Sequence, residues 1–153
     1  AAIVEAVYGV ANVTCLTRLA QDAQAKFEAT GELSLVPAAG PQGSNAVMAG
    51  VPYYTETARG AIPQWENTFN VASWDDWLTF DAQTAAPRLR QPFFMVHSEA
   101  AAIPQGAHQF FANVPGAKSQ LWLEGVSQFD FYDRDAPVEA SAEAVARHFR
   151  TTL

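Results

Sequence analysis

Two apolar runs and two helical stripes alternate beyond residue 91, and that order restricts the chain more than any other feature of its sequence. Pro92-Phe-Phe-Met-Val-His97 is a short, uninterrupted apolar run, as expected of a strand covered on both faces. Ile103-Pro104 opens a helix that carries Ala107, Phe110 and Phe111 inward. Pro115-Gly116 then turns the chain into a second strand, Ser119-Gln-Leu-Trp-Leu-Glu124. A loop from Gly125 to Asp135 leads to a last helix with Pro137 in its first turn, where a missing N–H costs nothing. Val138, Ala142, Val145, Ala146 and Phe149 line up as one apolar stripe along it, and Glu143 stands four residues before Arg147. Strand, helix, strand, helix predicts a βαβα unit with parallel strands and a right-handed crossover. Two strands are too few for a stable sheet, so others must come from elsewhere.

The composition changes near residue 86, which divides the chain into residues 1–85, a mostly helical lid or insertion, and residues 86–153, the βαβα part. In the first region Ala11 to Gly31 reads as a helix, because Val13, Leu16, Ala20, Ala23 and Phe27 recur at spacings of three and four. Gly31 ends it, since glycine takes the left-handed conformation at a helix terminus without a Cβ penalty. Pro37 to Pro52 is rich in glycine and proline and reads as loop. An aromatic stretch follows with Tyr53, Tyr54, Trp65, Phe69, Trp74, Trp77 and Phe80. Ser73, ahead of Asp75 and Asp76, is the expected N-cap of a short helix carrying Trp77 and Phe80. So many aromatics on broken structure fit a lid or pocket lining, with ordinary core packing as the alternative.

Several classes of function are excluded or disfavoured. The net charge of −7 argues against a sequence-independent grip on nucleic acid. No apolar run approaches the ~20 residues of a membrane span. Ala1 to Val10 carry Glu5 and no basic segment, so they do not read as a signal peptide, and the cytoplasm is the expected compartment. The single cysteine, Cys15, leaves no internal disulfide framework and reads as a small buried hydrophobe. The three histidines are far apart and form no H-x-x-x-H pair, and there is no phosphate-binding G-x-x-x-x-G-K loop, so neither metal nor cofactor is expected. Charged residues are only 16% of the chain, below the usual quarter, which hints that part of the surface is covered by a partner.

In open parallel sheets ligands sit at the carboxyl ends of the strands. Here those ends are His97-Ser-Glu-Ala-Ala-Ala-Ile-Pro104 and Glu124-Gly-Val-Ser-Gln-Phe-Asp-Phe-Tyr-Asp133. Phe93-Phe-Met-Val-His-Ser-Glu, Ile103-Pro104 and Leu121-Trp-Leu-Glu-Gly-Val-Ser-Gln-Phe-Asp-Phe-Tyr-Asp resemble the tail of the α/β-hydrolase superfamily, within it the dienelactone-hydrolase-like and polyketide-transferase-like group. Val51-Pro-Tyr-Tyr-Thr-Glu and Ser73-Trp-Asp-Asp-Trp-Leu-Thr-Phe resemble that group's helical insertion. The resemblance implies an α/β fold of which this chain is the C-terminal half. It further implies a serine or cysteine nucleophile on a G-x-S-x-G elbow before residue 1, and an N-terminal half of the same protein as partner. Gly125-Val-Ser127-Gln-Phe129 begins like that elbow but lacks its closing glycine and follows the wrong strand.

Two positions depart from the family pattern. Ala100 stands where the acid belongs, with Glu99 as the nearest carboxylate, and Gln128 stands where the base histidine belongs. A carboxamide cannot accept a proton at neutral pH, so Gln128 cannot serve as a general base. Gln128 is then a residue that hydrogen-bonds substrate or backbone, or His97 substitutes as base, or the base lies outside this chain. Glu99 and His97 are the catalytic candidates, each with a structural alternative: a carboxylate favoured by a helix N-terminus, and a histidine bonded to its neighbouring loop. Ser98, Ser127, Gln128, Trp74 and Trp77 are the substrate-binding candidates. His108 and His148 are expected at the surface, and Asp130 and Asp133 are expected to fix their loop through turn amides. The expected function is action on ester, lactone or thioester bonds of a small acyl substrate. A non-catalytic member that binds an apolar acyl ligand or a protein is the alternative, and self-association is left open.

Overall fold

The computed structural model describes residues 9–153. The chain divides into two units, Ala1–Phe80 and Asp81–Leu153.

The first unit is organised by helix α1, Val10–Thr30, and it ends where the sequence predicts. Gly31 takes φ 74°, and its N–H bonds Phe27 O. The expected stripe is buried in its middle only. Ala20 and Ala23 are buried, Val13 and Leu16 pack beside them, but Phe27 stays 43% exposed. Trp74 and Leu78 close on Ala20, with Val47, Phe69 and Val71 around them. Burying one indole contributes a gross ~4–6 kcal/mol, so Trp74 is the principal apolar contributor here.

The expected loop from Pro37 contains short pairings instead of being irregular throughout. Strand β1, Leu35–Val36, runs antiparallel to β4, Phe69–Asn70, and β2, Ala39–Gly40, runs parallel to β3, Met48–Ala49. Asn67 acts as a surrogate peptide unit on the other side of Ala39: its Oδ1 accepts from Ala39 N and its Nδ2 donates to Ala39 O, both at 2.8 Å. Helix α2 is the single turn Pro52–Thr55. A 3₁₀ turn, Val71–Ser73, leads into α3, Trp74–Thr79. The expected cap is one turn off. Ser73 is already helical and its side chain caps nothing, whereas Asn70 accepts from Ala72 N. The 3₁₀ turn extends the helical segment toward the N-terminus, so the capping position moves to the residue before it.

The second unit holds the expected βαβα order. A 3₁₀ segment, Ala82–Arg88, is capped by the Asp81 side chain. Strand β5, Phe93–Ser98, is followed by α4, Pro104–Asn113, then β6, Lys118–Leu123, the single turn α5, Asp130–Asp133, and α6, Asp135–Thr152. The strands pair in parallel, from Phe93 opposite Lys118 to Ser98 opposite Leu123. Phe93 packs on Phe110 and Phe111 of α4, and Phe94 stacks on His148 of α6 at 5.4 Å. Consecutive strand residues face opposite ways, so α4 and α6 cover opposite faces of the pair. His148, expected at the surface, is half-buried by that stacking.

The last helix does not use its apolar stripe as expected. Pro137, Ala140, Ser141, Ala144 and His148 are half-buried, together with Val145 and Ala146 of the stripe. Val138 and Phe149, at the two ends of the stripe, remain 37% and 52% exposed. The middle of the stripe is thus covered beside small and polar side chains, and its ends are left exposed.

The β5–β6 pair is also thinly covered. Phe93 to His97 are only half-buried, although the run is as apolar as a central strand. Phe93 N donates to Ala117 O at 2.9 Å, so by alternation the amides of Met95 and His97 point toward β6 and those of Phe94 and Val96 away. No strand pairs with that outer edge among the described residues.

Candidate functional site

The carboxyl ends of β5 and β6 carry two loops that are tied together by one side chain. Gln128 Oε1 accepts from Ala102 N at 3.3 Å, and its Nε2 donates to Tyr132 OH at 3.0 Å. A backbone N–H can only donate, so the amide orientation is fixed by Ala102. At the position where the resemblance implies a base, both ends of the carboxamide are engaged within the protein.

Ser127 lies beside it in a reciprocal pattern. Ser127 N donates to Asp130 Oδ2 at 2.9 Å, Asp130 N donates to Ser127 Oγ at 3.3 Å, and Ser127 Oγ donates to Asp130 Oδ2 at 2.5 Å. This is the reciprocal bonding pattern of a capping box, closed over the turn that precedes α5, with the serine and the carboxylate three residues apart. Asp130 thus fixes turn amides, as expected. Ser98 is fully buried, and its Oγ accepts from Ala100 N at 3.1 Å, so it organises the first loop from within. That loop ends on Ile103 at φ 54°, a left-handed conformation that is costly for a β-branched residue.

His97 and Glu99 are placed apart in their bonding. His97 Nδ1 meets Ser98 O at 2.9 Å. A carbonyl only accepts, so Nδ1 carries the hydrogen. Glu99 Oε1 instead meets Nε2 of His108 at 2.6 Å, with both side chains about half or more exposed at 49% and 64%. A contact so open to water contributes little to stability. Trp122 stacks on both rings, His108 at 4.2 Å and His97 at 5.0 Å. The imidazole of His97 therefore lies on the α4 face of the strands. The Glu99–His108 pair was not legible in the sequence, because the two residues are nine apart and belong to a strand end and a helix. The parallel register that sets Trp122 beside His97 is the one signal that could have drawn attention to this cluster.

A cleft of about 470 Å³ opens on the α6 face. Val96, Ala101, Phe131, Val138 and Val145 make it apolar, and Gln128, Ser141 and the strand-end residue His97 complete it. No aspartate, glutamate, lysine or arginine lines it. Ser141 Oγ donates to Pro137 O at 2.6 Å, so the hydroxyl's hydrogen is also engaged. Such a lining compensates no charge, and burying an unpaired ion there is expensive. Trp74 and Trp77 belong to the first unit. Trp74 is a core residue, and Trp77 is 61% exposed with its ring edge-on to Phe69 and Trp74. Among the described residues no group of three or more histidine, cysteine, aspartate or glutamate side chains could hold a metal ion. No helix among them is long and apolar enough to cross a membrane. Cys15, expected to be buried, is exposed, because α1 turns it away from Ala20.

No family model matches the chain, and no curated protein matches it in sequence. Solved structures do. DcsB, determined in complex with its substrate analogue, is similar over 95% of this chain and 52% of its own, with a TM-score of 0.75 and 15% identity. A hypothetical protein, PA2218 from Pseudomonas aeruginosa, matches 91% of this chain and 46% of its own, with a TM-score of 0.67 and 19% identity. The monoacylglycerol lipase of Paleococcus ferrophilus matches 86% and 51%, with a TM-score of 0.53 and 16% identity. These are α/β-hydrolase-type folds, and the likeness is one of fold. The chain spans about half the length of the structures it matches.

Proposed function

We propose that this chain is the C-terminal portion of an α/β-hydrolase-type protein that acts on ester, lactone or thioester bonds of an uncharged acyl substrate. The observation that carries the reading is the uncharged, apolar cleft at the carboxyl ends of two parallel strands, on a fold shared with a lipase. The nucleophile belongs to a segment preceding residue 1, on the strand-to-helix elbow that such folds use. The residues described here contribute walls and loop geometry. Gln128 holds the two loops in register, Ser98 and Ser127 brace them, and Val96, Phe131 and Val145 offer apolar surface to the acyl part. Glu99 and His97 are the candidates for acid and base on this chain. Their engagement by His108 and by Ser98 O supports placing the proton transfer on groups outside it.

Turnover of p-nitrophenyl esters tests this. The chain alone is expected to show none above background, and the chain extended N-terminally to the length of the matched structures is expected to show it. Hydrolysis by the isolated chain that disappears in Glu99→Gln or His97→Phe contradicts the assignment.

One observation favours a second reading, a module that binds an apolar acyl ligand without catalysis: Gln128 occupies the expected base position with both amide ends bonded. Fluorophosphonate labelling of the extended protein separates the two. Labelling supports the enzyme, and ligand-induced tryptophan fluorescence change without labelling supports the module.

A further inference from the structure

Helix α6 presents an apolar stripe whose centre, at Val145 and Ala146, is half-buried but whose Val138, Ala142 and Phe149 are exposed, and the charges beside that stripe are arranged to match a second copy. Val138 and Phe149 are 37% and 52% exposed, and Ala142 between them is exposed as well. Val138 and Phe149 lie equally far from the midpoint between Glu143 and Ala144, as do Ala142 and Val145. Two such helices laid antiparallel about that midpoint set Val138 against Phe149 of the other copy and Ala142 against Val145. The larger side chain at each level then meets the smaller, as close packing requires. The small residues Ala142 and Ala146 permit close approach at the centre.

The charges lie close to the same symmetry, their midpoint one residue beyond that of the stripe. At 100° per residue, Glu139 and Arg150 fall on one flank of the stripe, at opposite ends of the 18-residue helix. Antiparallel pairing brings equivalent flanks together, so Glu139 of each copy faces Arg150 of the other. Neither side chain has an ion-pair partner among the described residues, whereas Glu143 and Arg147, farther from the stripe, pair with each other at 3.0 Å. A helix with its unpaired acidic residue near one end and its unpaired basic residue near the other is complementary to its own reverse. We propose that α6 is a homodimerisation surface, with a second copy of this chain as its occupant in an isologous, antiparallel helix pair. This inference requires no substrate and no nucleophile, and because Val138 and Val145 also wall the cleft, the second copy borders that cleft.

The contact is confined largely to one helix on each side, so the dimer is expected to be weak, with micromolar dissociation. Sedimentation equilibrium of this chain over the micromolar range measures it directly. Glu139→Arg and Arg150→Glu are exposed substitutions, and far-UV circular dichroism checks that the helix persists in each. Every single reversal replaces both symmetric pairs with like charges and is expected to weaken dimerisation about tenfold or more at low salt. Mixing the two variants in equal amounts re-forms two opposite-charge pairs and is expected to restore the wild-type affinity to within about threefold. Phe149→Asp is expected to abolish association of the wild-type chain. A wild-type chain that stays monomeric throughout that range overturns the proposal. So does a mixture that associates no better than the separate variants, which would assign the stripe to another segment of a longer protein.

Discussion

Removing the ammonium of Lys118 is expected to unfasten the C-terminus of α4. That helix ends without the left-handed residue that usually absorbs the last carbonyls: Val114 has φ −70° and ψ 121°, and Pro115 follows with no N–H to offer. Lys118, at the start of β6, takes over the role. Its Nζ donates to Phe111 O at 2.7 Å, Ala112 O at 2.9 Å and Val114 O at 2.8 Å, and lies 5.0 Å from the centre of the Phe111 ring. Three bonds to a cation would contribute more than ~4 kcal/mol if each had its full value of ~1.5–3 kcal/mol. The ammonium gives up good hydration to make them, and a cation at a helix C-terminus is worth ~0.3–2 kcal/mol. We take about 1.5 kcal/mol as the net loss in Lys118→Met, which keeps the aliphatic stem over Phe111. With a urea slope of ~1.5 kcal/mol per molar for a unit of this size, the midpoint should fall by about 1 M. Amide hydrogen exchange in α4 should accelerate about tenfold. A midpoint shift under ~0.2 M, with α4 protection unchanged, would refute the capping argument.

Other substitutions test the loops around the cleft. Gln128→Ala removes both ties between them, and the Ala102 amide is expected to exchange about fivefold to tenfold faster at a stability loss of ~1 kcal/mol. Equal exchange rates would show that the loops hold without it. A double-mutant cycle of Ser127→Ala and Asp130→Ala should return a coupling of ~1 kcal/mol in urea titrations, because the capping box is reciprocal. Additive effects contradict the box.

The second unit was legible because its signals are local and strong. An uninterrupted apolar run, a proline at a helix start and a Pro-Gly turn fixed β5, α4 and β6 to within a residue or two. Gly31 likewise marked the end of α1. What periodicity could not decide was which side of α6 meets the strands. Val138, Ala142, Val145 and Phe149 form the most apolar stripe, yet Phe94 stacks on His148, and of the stripe only Val145 is half-buried. A hydrophobic pattern states that a face wants cover, and it does not name the cover. The same holds for Ser73 and Asn70, two capping-type residues near one helix start, where the extra 3₁₀ turn selected between them. At the candidate site, the departures at Ala100 and Gln128 were visible in sequence. The partnerships of Glu99 with His108 and of Gln128 with Ala102 and Tyr132 were not, because they join residues from different elements.

The central claim is that β5 and β6 are part of a wider sheet whose next strand pairs along the outer edge of β5. Residue-resolved amide hydrogen exchange at Phe94 and Val96 tests it most directly. In the isolated chain these two amides should exchange far faster than those of Met95 and His97, which face β6. In the chain extended N-terminally to the length of the matched folds, they should become as slow as their neighbours. Strong protection of Phe94 and Val96 in the isolated chain, or fast exchange in the extended protein, would contradict the account.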